Sequence, residues 1–293
     1  MNDGPKITQE MIKLYDEFTH LTLDRRGFMQ KLTKLAGSGA AAAAIVPMFT
    51  SNYAKAEIVP ANDPRLKTSD ITYKGGAGDV KGYLALPASV TGKLPSVIVV
   101  HQNRGLNPHI KDVTRRFGLE GFMALGVDLL SRQGGTPPND DDAAKMFRGI
   151  DRAGMVADAV AAIPYLKQRP EANGKVGAVG YCFGGGIVNL MAVASPDLAA
   201  GVSYYGQQPA AADVAKIKAK LMLHYAGLDD RTNAGIPAFE AAMKTAGVSY
   251  QTFIYEGANH AFNDDTSEAR YDKKAADPAW SRTIEFFKTN LSA

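Results

Sequence analysis

The stretch "VGYCFGGG", residues 179–186, closes an apolar run and holds the chain's single cysteine, Cys182. Gly180-Tyr181-Cys182-Phe183-Gly184 has the G-x-C-x-G spacing of a nucleophile elbow, with sulfur where serine is more usual. A sharp strand-to-helix turn crowds the residues two before and two after the nucleophile, and glycine has no Cβ to clash there. "KVGAVG" before the cysteine reads as a strand, and "GGGIVNLMAVA" after it reads as a helix. The N–H groups and positive dipole end of that helix would face the sulfur and favour thiolate. The competing account is a buried structural cysteine. The glycine frame favours the nucleophile.

Working outward, apolar runs alternate with helix-like segments. "PSVIVVH" (95–101), "GFMALGVDLL" (121–130) and "GKVGAVGYC" (174–182) are continuous enough for strands buried on both faces. A long helical stretch, residues 141–169, separates the second from the third. "AAGVSYYG", "AKLMLHYAG" and "VSYQTFIYEG" follow, and "PAWSRTIEFFKTNL" predicts a final amphipathic helix with Pro278 near its start. The alternation predicts an α/β fold with a mostly parallel central sheet and helices on both faces.

Such sheets carry their reactive groups at the carboxyl ends of the strands. A nucleophile there needs a base, and the base needs an orienting acid. "LMLHYAGLDD" ends a strand in a turn with Asp229 and Asp230, and "FIYEGANHAF" ends the last strand in a turn with His260. The order nucleophile, acid, histidine is that of an α/β-hydrolase. The other histidines have plainer places: His20 in the leader, His109 at a helix start, His224 inside a strand. His101, at the end of the "VIVV" strand, is expected to line the site.

From about Asp70 onward the chain resembles the dienelactone hydrolase family, α/β-hydrolases with a cysteine nucleophile. "VIVVHQNRGLN", "ALGVDLLSRQGG", "VGYCFGG", "LHYAGLDD" and "YEGANHAF" carry the resemblance, in family order. It implies Cys182 as nucleophile, Asp229 as triad acid and His260 as base. It places the oxyanion hole at the backbone N–H groups of Phe183 and Asn103, and a substrate carboxylate on Arg132. Two departures stand out. Gln102 replaces a common glutamate that helps deprotonate the thiol, and an amide cannot take a proton. Asp264 stands where dienelactone hydrolases proper have a second carboxylate-binding arginine, and an acid there repels an anionic substrate unless neutralised. Arg104, in the oxyanion loop, is the expected compensation.

The resemblance implies hydrolysis of a small-molecule ester or lactone through a thioester, without metal or organic cofactor. Two alternatives remain: a catalytically weakened hydrolase-fold binding protein, which Gln102 favours, and a carboxylesterase for neutral esters. Composition allows this size of core. The 293 residues are 45% hydrophobic and 22% charged, with a formal net charge of +3. That balance gives no nucleic-acid footprint and no polybasic membrane arm. A single cysteine excludes an internal disulfide and a cysteine-built zinc site.

Residues 1–56 differ from the rest. Arg25-Arg26 in "LDRRGFMQKL" precede the alanine-rich "AGSGAAAAAIVPMF", and Ala54-Lys55-Ala56 offers a small-x-small cleavage site before Glu57. This resembles a twin-arginine export signal, which implies the export machinery as a partner and a periplasmic or secreted product. The alternative is a retained amphipathic N-terminal helix on a cytoplasmic protein, since "ITQEMIKLYDEFTHL" has apolar residues at helical spacing. The expected organisation is a leader, 1–56, and one α/β-hydrolase domain, 57–293.

Overall fold

The structure is a computed structural model that describes residues 6–20, 22–53, 57–147 and 149–292. The proposed cleavage site at residues 54–56 lies outside them.

An eight-stranded sheet forms the centre, in the order β1-β2-β4-β3-β5-β6-β7-β8. The strands are β1 (Leu66–Lys74), β2 (Asp79–Pro87), β3 (Leu94–Val100), β4 (Met123–Val127), β5 (Ala172–Tyr181), β6 (Ala200–Tyr204), β7 (Lys220–Ala226) and β8 (Tyr250–Tyr255). β1 and β2 pair antiparallel, β2 joins β4 antiparallel, and the rest of the sheet is parallel. The apolar run of β3 serves both faces. Ile98 and Val100 enter one core, and Val97 and Val99 the other, as a two-residue period requires.

Three N-terminal helices come first: α1 (Gln9–Thr19), α2 (Arg25–Ala36) and α3 (Gly39–Phe49). Then follow α4 (Pro108–Leu119), α5 (Asp140–Met146), α6 (Arg152–Lys167), α7 (Phe183–Ala194), α8 (Asp230–Asn233), α9 (Ile236–Ala246) and α10 (Lys273–Leu291). α6, α7 and α9 pack on one face of the sheet, and α4 and α10 on the other. The helical stretch expected over 141–169 is two helices. Gly149 takes a left-handed φ of 71°, and Asp151 caps α6 by accepting from the Gly154 amide at 2.9 Å. α10 begins at Lys273, five residues before the expected start, because Asp272 caps it and accepts from the Lys274 amide.

α1 to α3 pack around Leu32, Ile45 and Phe49 in a core of their own. They also dock on the sheet domain. The Asn52 amide donates to Thr266 O at 3.0 Å, the Ala269 amide to Met48 O at 3.2 Å, and Tyr53 OH to Asp140 at 2.5 Å. No single helix among the described residues is long and apolar enough to cross a membrane, and α2 and α3 bend by 113° where they meet.

Candidate active site

β5 delivers Cys182 to the carboxyl edge of the sheet, and α7 begins one residue later. Between them Cys182 takes φ 55° and ψ −115°, a conformation that non-glycine residues adopt rarely and at a cost. Its amide donates to Tyr204 O at 3.0 Å and its carbonyl accepts from the Gly186 amide at 3.2 Å, which holds the turn. The two framing glycines are sterically required. A Cβ on Gly180 would lie 2.1 Å from Gly184 O, and one on Gly184 would lie 2.4 Å from Val100 O. The sulfur therefore sits at the amino end of a helix, in a backbone that only this spacing tolerates.

Turns after β7 and β8 supply the next two groups. Asp229 caps α8, accepting from the Thr232 amide at 3.1 Å through one oxygen. Its other oxygen accepts from His260 Nδ1 at 2.6 Å. A carboxylate accepts only, so Nδ1 carries a proton and Nε2 is the ring nitrogen turned away from the acid. That Nε2 is buried and has no hydrogen-bond partner among the described residues. One ring nitrogen of His260 and the Cys182 sulfur belong to one cluster whose donor atoms lie within 4.8 Å of each other.

The third member of that cluster is His20, from the last turn of α1. Its Nε2 lies 3.5 Å from the Cys182 sulfur and its Nδ1 donates to Asp16 O at 2.8 Å. The His20 ring stands edge-on to His260 with centroids 4.8 Å apart. Its place in the sequence puts His20 in the leader and gives it no role. The available signal was Asp16 and His20 four apart on one amphipathic helix.

Burial raises the Cys182 thiol, but the neighbouring His260 and His20 outweigh it and hold the thiol well below its ordinary value. Burial lowers His260, yet Asp16, Cys182 and Asp229 lift it to about 10. Burial also lowers His20, which Cys182 and Asp16 lift to about 9. Two histidines and a cysteine could ligate a soft divalent ion. The Arg231 guanidinium, 2.8 Å from His20 Nε2, opposes a cation there.

Two cavities meet at Cys182. One, of about 260 Å³, lies under the N-terminal helices and is lined by Tyr15, Phe18, Phe28, Asn103, Arg104 and Asp264 among others. The second, of about 420 Å³, is lined by Phe147, Arg152, Phe183 and Tyr205. Thr19, His20, Asn103, Cys182 and His260 border both. Asn103 Nδ2 donates to Thr19 O at 2.5 Å, and Arg104 donates to Asn103 O at 3.0 Å. Phe183 opens α7, where its amide is one of the unpaired N–H groups of a helix start.

Two expectations change. Arg132 does not line either cavity; it grips buried Asp158 through two bonds of 2.6 and 2.9 Å, with Asp151 at 3.6 Å. Its loop closes on α6 instead of opening to substrate. His101 also misses the site. It is fully buried, donating from Nδ1 to Gln102 O at 2.6 Å and accepting from the Leu129 amide at 3.1 Å. Burial pushes its pKa down, so it is a neutral brace between the ends of β3 and β4.

Finally, the two departures prove to be linked. Gln102 Nε2 donates to Asp264 Oδ2 at 3.3 Å. Asp264 is buried and also meets Thr266 and, at 3.7 Å, His109. Burial raises this carboxyl, but the His109 and Arg270 charges and the Thr266 bonds hold it below its ordinary value. The amide thus complements an acid that a glutamate would repel.

Comparison with known proteins agrees with the fold. Residues 80–291 match the dienelactone hydrolase family model. A putative carboxymethylenebutenolidase of Synechocystis is 33% identical over 77% of this chain and 98% of its own length. A dienelactone hydrolase-like promiscuous phosphotriesterase from metagenomic libraries superposes with a TM-score of 0.69 at 26% identity, over 78% of this chain and all of its own. A putative dienelactone hydrolase of Klebsiella pneumoniae gives 0.68 at 24% identity, over 76% of this chain and 98% of its own, which bears on the fold alone. By its sheet order, its elbow and this match, the chain belongs to the dienelactone hydrolase family.

Proposed function

We propose that this protein hydrolyses a carboxylic ester or lactone through a thioester on Cys182. The observation that carries the proposal is the elbow sulfur, at the start of α7, beside a histidine whose far nitrogen is held 2.6 Å from Asp229. In this reading the thiolate attacks the carbonyl carbon. The oxyanion is met by the amides of Phe183 and Asn103, and the alkoxide leaves with the proton that the imidazolium beside the thiolate has held. His260 then takes a proton from water, which attacks the thioester and frees the acid and the thiolate. Asp229 fixes the imidazole in the tautomer this requires.

A second reading concerns substrate charge. Arg132 is occupied by Asp158, and the cavity under the N-terminal helices offers aromatic walls beside the Asp264 carboxylate. This favours neutral esters over acidic ones. Residues 1–56 are proposed to remain on the chain as a cap over the site, and Arg25-Arg26 support export by the folded-protein route. Hydrolysis of p-nitrophenyl acetate, mono-p-nitrophenyl glutarate and a panel of lactones, by wild type and Cys182→Ala, tests the activity. Turnover lost in Cys182→Ala supports it. Equal turnover in both would refute the nucleophile, and a preference for the glutarate would refute the neutral-ester reading.

A further inference from the structure

Two histidine–aspartate pairs converge on one thiol. His260 is backed by Asp229, and His20, in the N-terminal cap, is backed by Asp16, whose carboxylate stands 3.3 Å from Nδ1 beyond the 2.8 Å bond to its carbonyl. A backbone carbonyl only accepts, so Nδ1 carries hydrogen, and Nε2 is the ring nitrogen that faces the sulfur, 3.5 Å away. Asp16 Oδ1 is buried and unpartnered among the described residues, and its charge acts on the two imidazoles and on the buried Arg270 guanidinium. The Gln102 amide is turned to Asp264 and accepts no proton from the thiol. We propose that His20 is a catalytic residue of this chain, the base that holds the Cys182 proton in the resting site and gives it to the leaving alkoxide, with Asp16 as its positioning residue.

The proposal rests on Cys182 being the nucleophile. It divides the proton work between two imidazoles. The thiol proton rests on His20 Nε2 before the ester arrives, as thiolate and imidazolium. The C–S bond forms and the carbonyl π pair moves to oxygen. On collapse the C–O bond to the leaving alkoxide breaks, and that alkoxide takes the proton from His20. With the sulfur acylated, its negative charge no longer lifts His260, and that ring in its neutral form takes the proton of the hydrolytic water; the proton returns by way of the departing sulfur to His20, so the cycle closes with one water consumed.

The charged groups around His20 fit this exchange. Asp16 lies on its own helix, while Cys182 and His260 face it from the turns after β5 and β8. Arg231, from α8, stands 2.8 Å from the same Nε2, where it meets the one lone pair that the neutral ring presents. Arg231 is exposed and free to swing outward when Nε2 is protonated. Lys13 and Asp230 pair with each other at 3.5 Å on the rim. His20 thus has an acceptor behind, a thiolate in front and a withdrawable donor beside it.

The test uses the full-length chain with two probes, iodoacetamide and p-nitrophenyl acetate. His20→Gln keeps a hydrogen-bonding side chain but cannot take a proton. It should slow the acylation burst by roughly 10²-fold, as loss of a general base does. It should also move the pH midpoint of Cys182 alkylation upward and leave KM nearly unchanged. Free imidazole should partly restore His20→Ala. Should His20→Gln lose its fold, Asp16→Asn decides, because it keeps the helix and removes only the charge; the midpoint should again rise. A wild-type burst rate and midpoint in a folded His20→Gln, or an unmoved midpoint in Asp16→Asn, would overturn the proposal. Wild type that forms no acyl adduct on Cys182 would instead refute the nucleophile itself, and His20 with it.

Discussion

Arg132→Ala separates the structural account of this arginine from the one its position in the sequence suggests. Asp158 is 1% exposed, and its carboxylate is held by Arg132 through two bonds and by the Gly76 amide at 2.8 Å. Removing one partner of a buried ion pair costs about 3–5 kcal/mol, because the other charge is stranded. The Arg132 side chain is 27% exposed, so water reaches the vacated space, and one N–H remains on the acid. We therefore expect a loss of about 2–4 kcal/mol, discounted from the fully buried case. For a domain of this size that is a drop of roughly 5–15 °C in Tm.

Arg132→Ala/Asp158→Ala should recover part of the loss, since no charge is then stranded, giving a coupling of about 1–3 kcal/mol. Thermal denaturation followed by circular dichroism reads both. The kcat/KM ratio between mono-p-nitrophenyl glutarate and p-nitrophenyl acetate should not move. An unchanged Tm with a 10–100-fold selective loss on the acidic ester, the cost of about 1.5–3 kcal/mol for a charge-assisted bond, would refute this reasoning and return Arg132 to the substrate.

Other perturbations follow from the same contacts. Gln102→Glu places a second carboxylate against Asp264, so it should lower stability and fail to raise the acylation rate; a faster burst at neutral pH would contradict the Gln102–Asp264 pairing. Gly184→Ala puts a Cβ 2.4 Å from Val100 O and 2.5 Å from His101 O, so soluble protein should lose activity by at least an order of magnitude. Near-normal turnover would show that the elbow relaxes. The Cys182 thiol is held below its ordinary value, so thiolate persists as pH falls and is lost only through that depressed value. Iodoacetamide labelling of folded protein should accordingly have a midpoint well under about 8.5, and a midpoint at or above it would show that burial outweighs the two imidazoles.

Much of this site was legible because its chemistry is local in sequence. The elbow is five consecutive residues, and Asp229 and His260 each sit directly after an apolar strand, so the strand pattern alone brings them to one edge. Arg132 was misplaced for the opposite reason. It also follows a strand, but its direction depends on Asp158, twenty-six residues away on a helix, and a buried carboxylate takes the nearest guanidinium. His20 was missed because composition marked its segment as a leader. Its contact with Cys182 spans 162 residues and arises only when α1 docks, through Gln9 on Asn259 and Asn103 on Thr19. The coupling of Gln102 to Asp264 has the same character: each looked like a separate departure until the two met in space.

The most direct test of the central claim is mass spectrometry of the full-length protein quenched in acid after brief mixing with p-nitrophenyl acetate. The account predicts an added acetyl group that maps to the peptide containing Cys182, is removed by hydroxylamine, and is absent from Cys182→Ala. An acetyl group on another residue, or turnover of the ester with Cys182 unmodified at every time point, would contradict it.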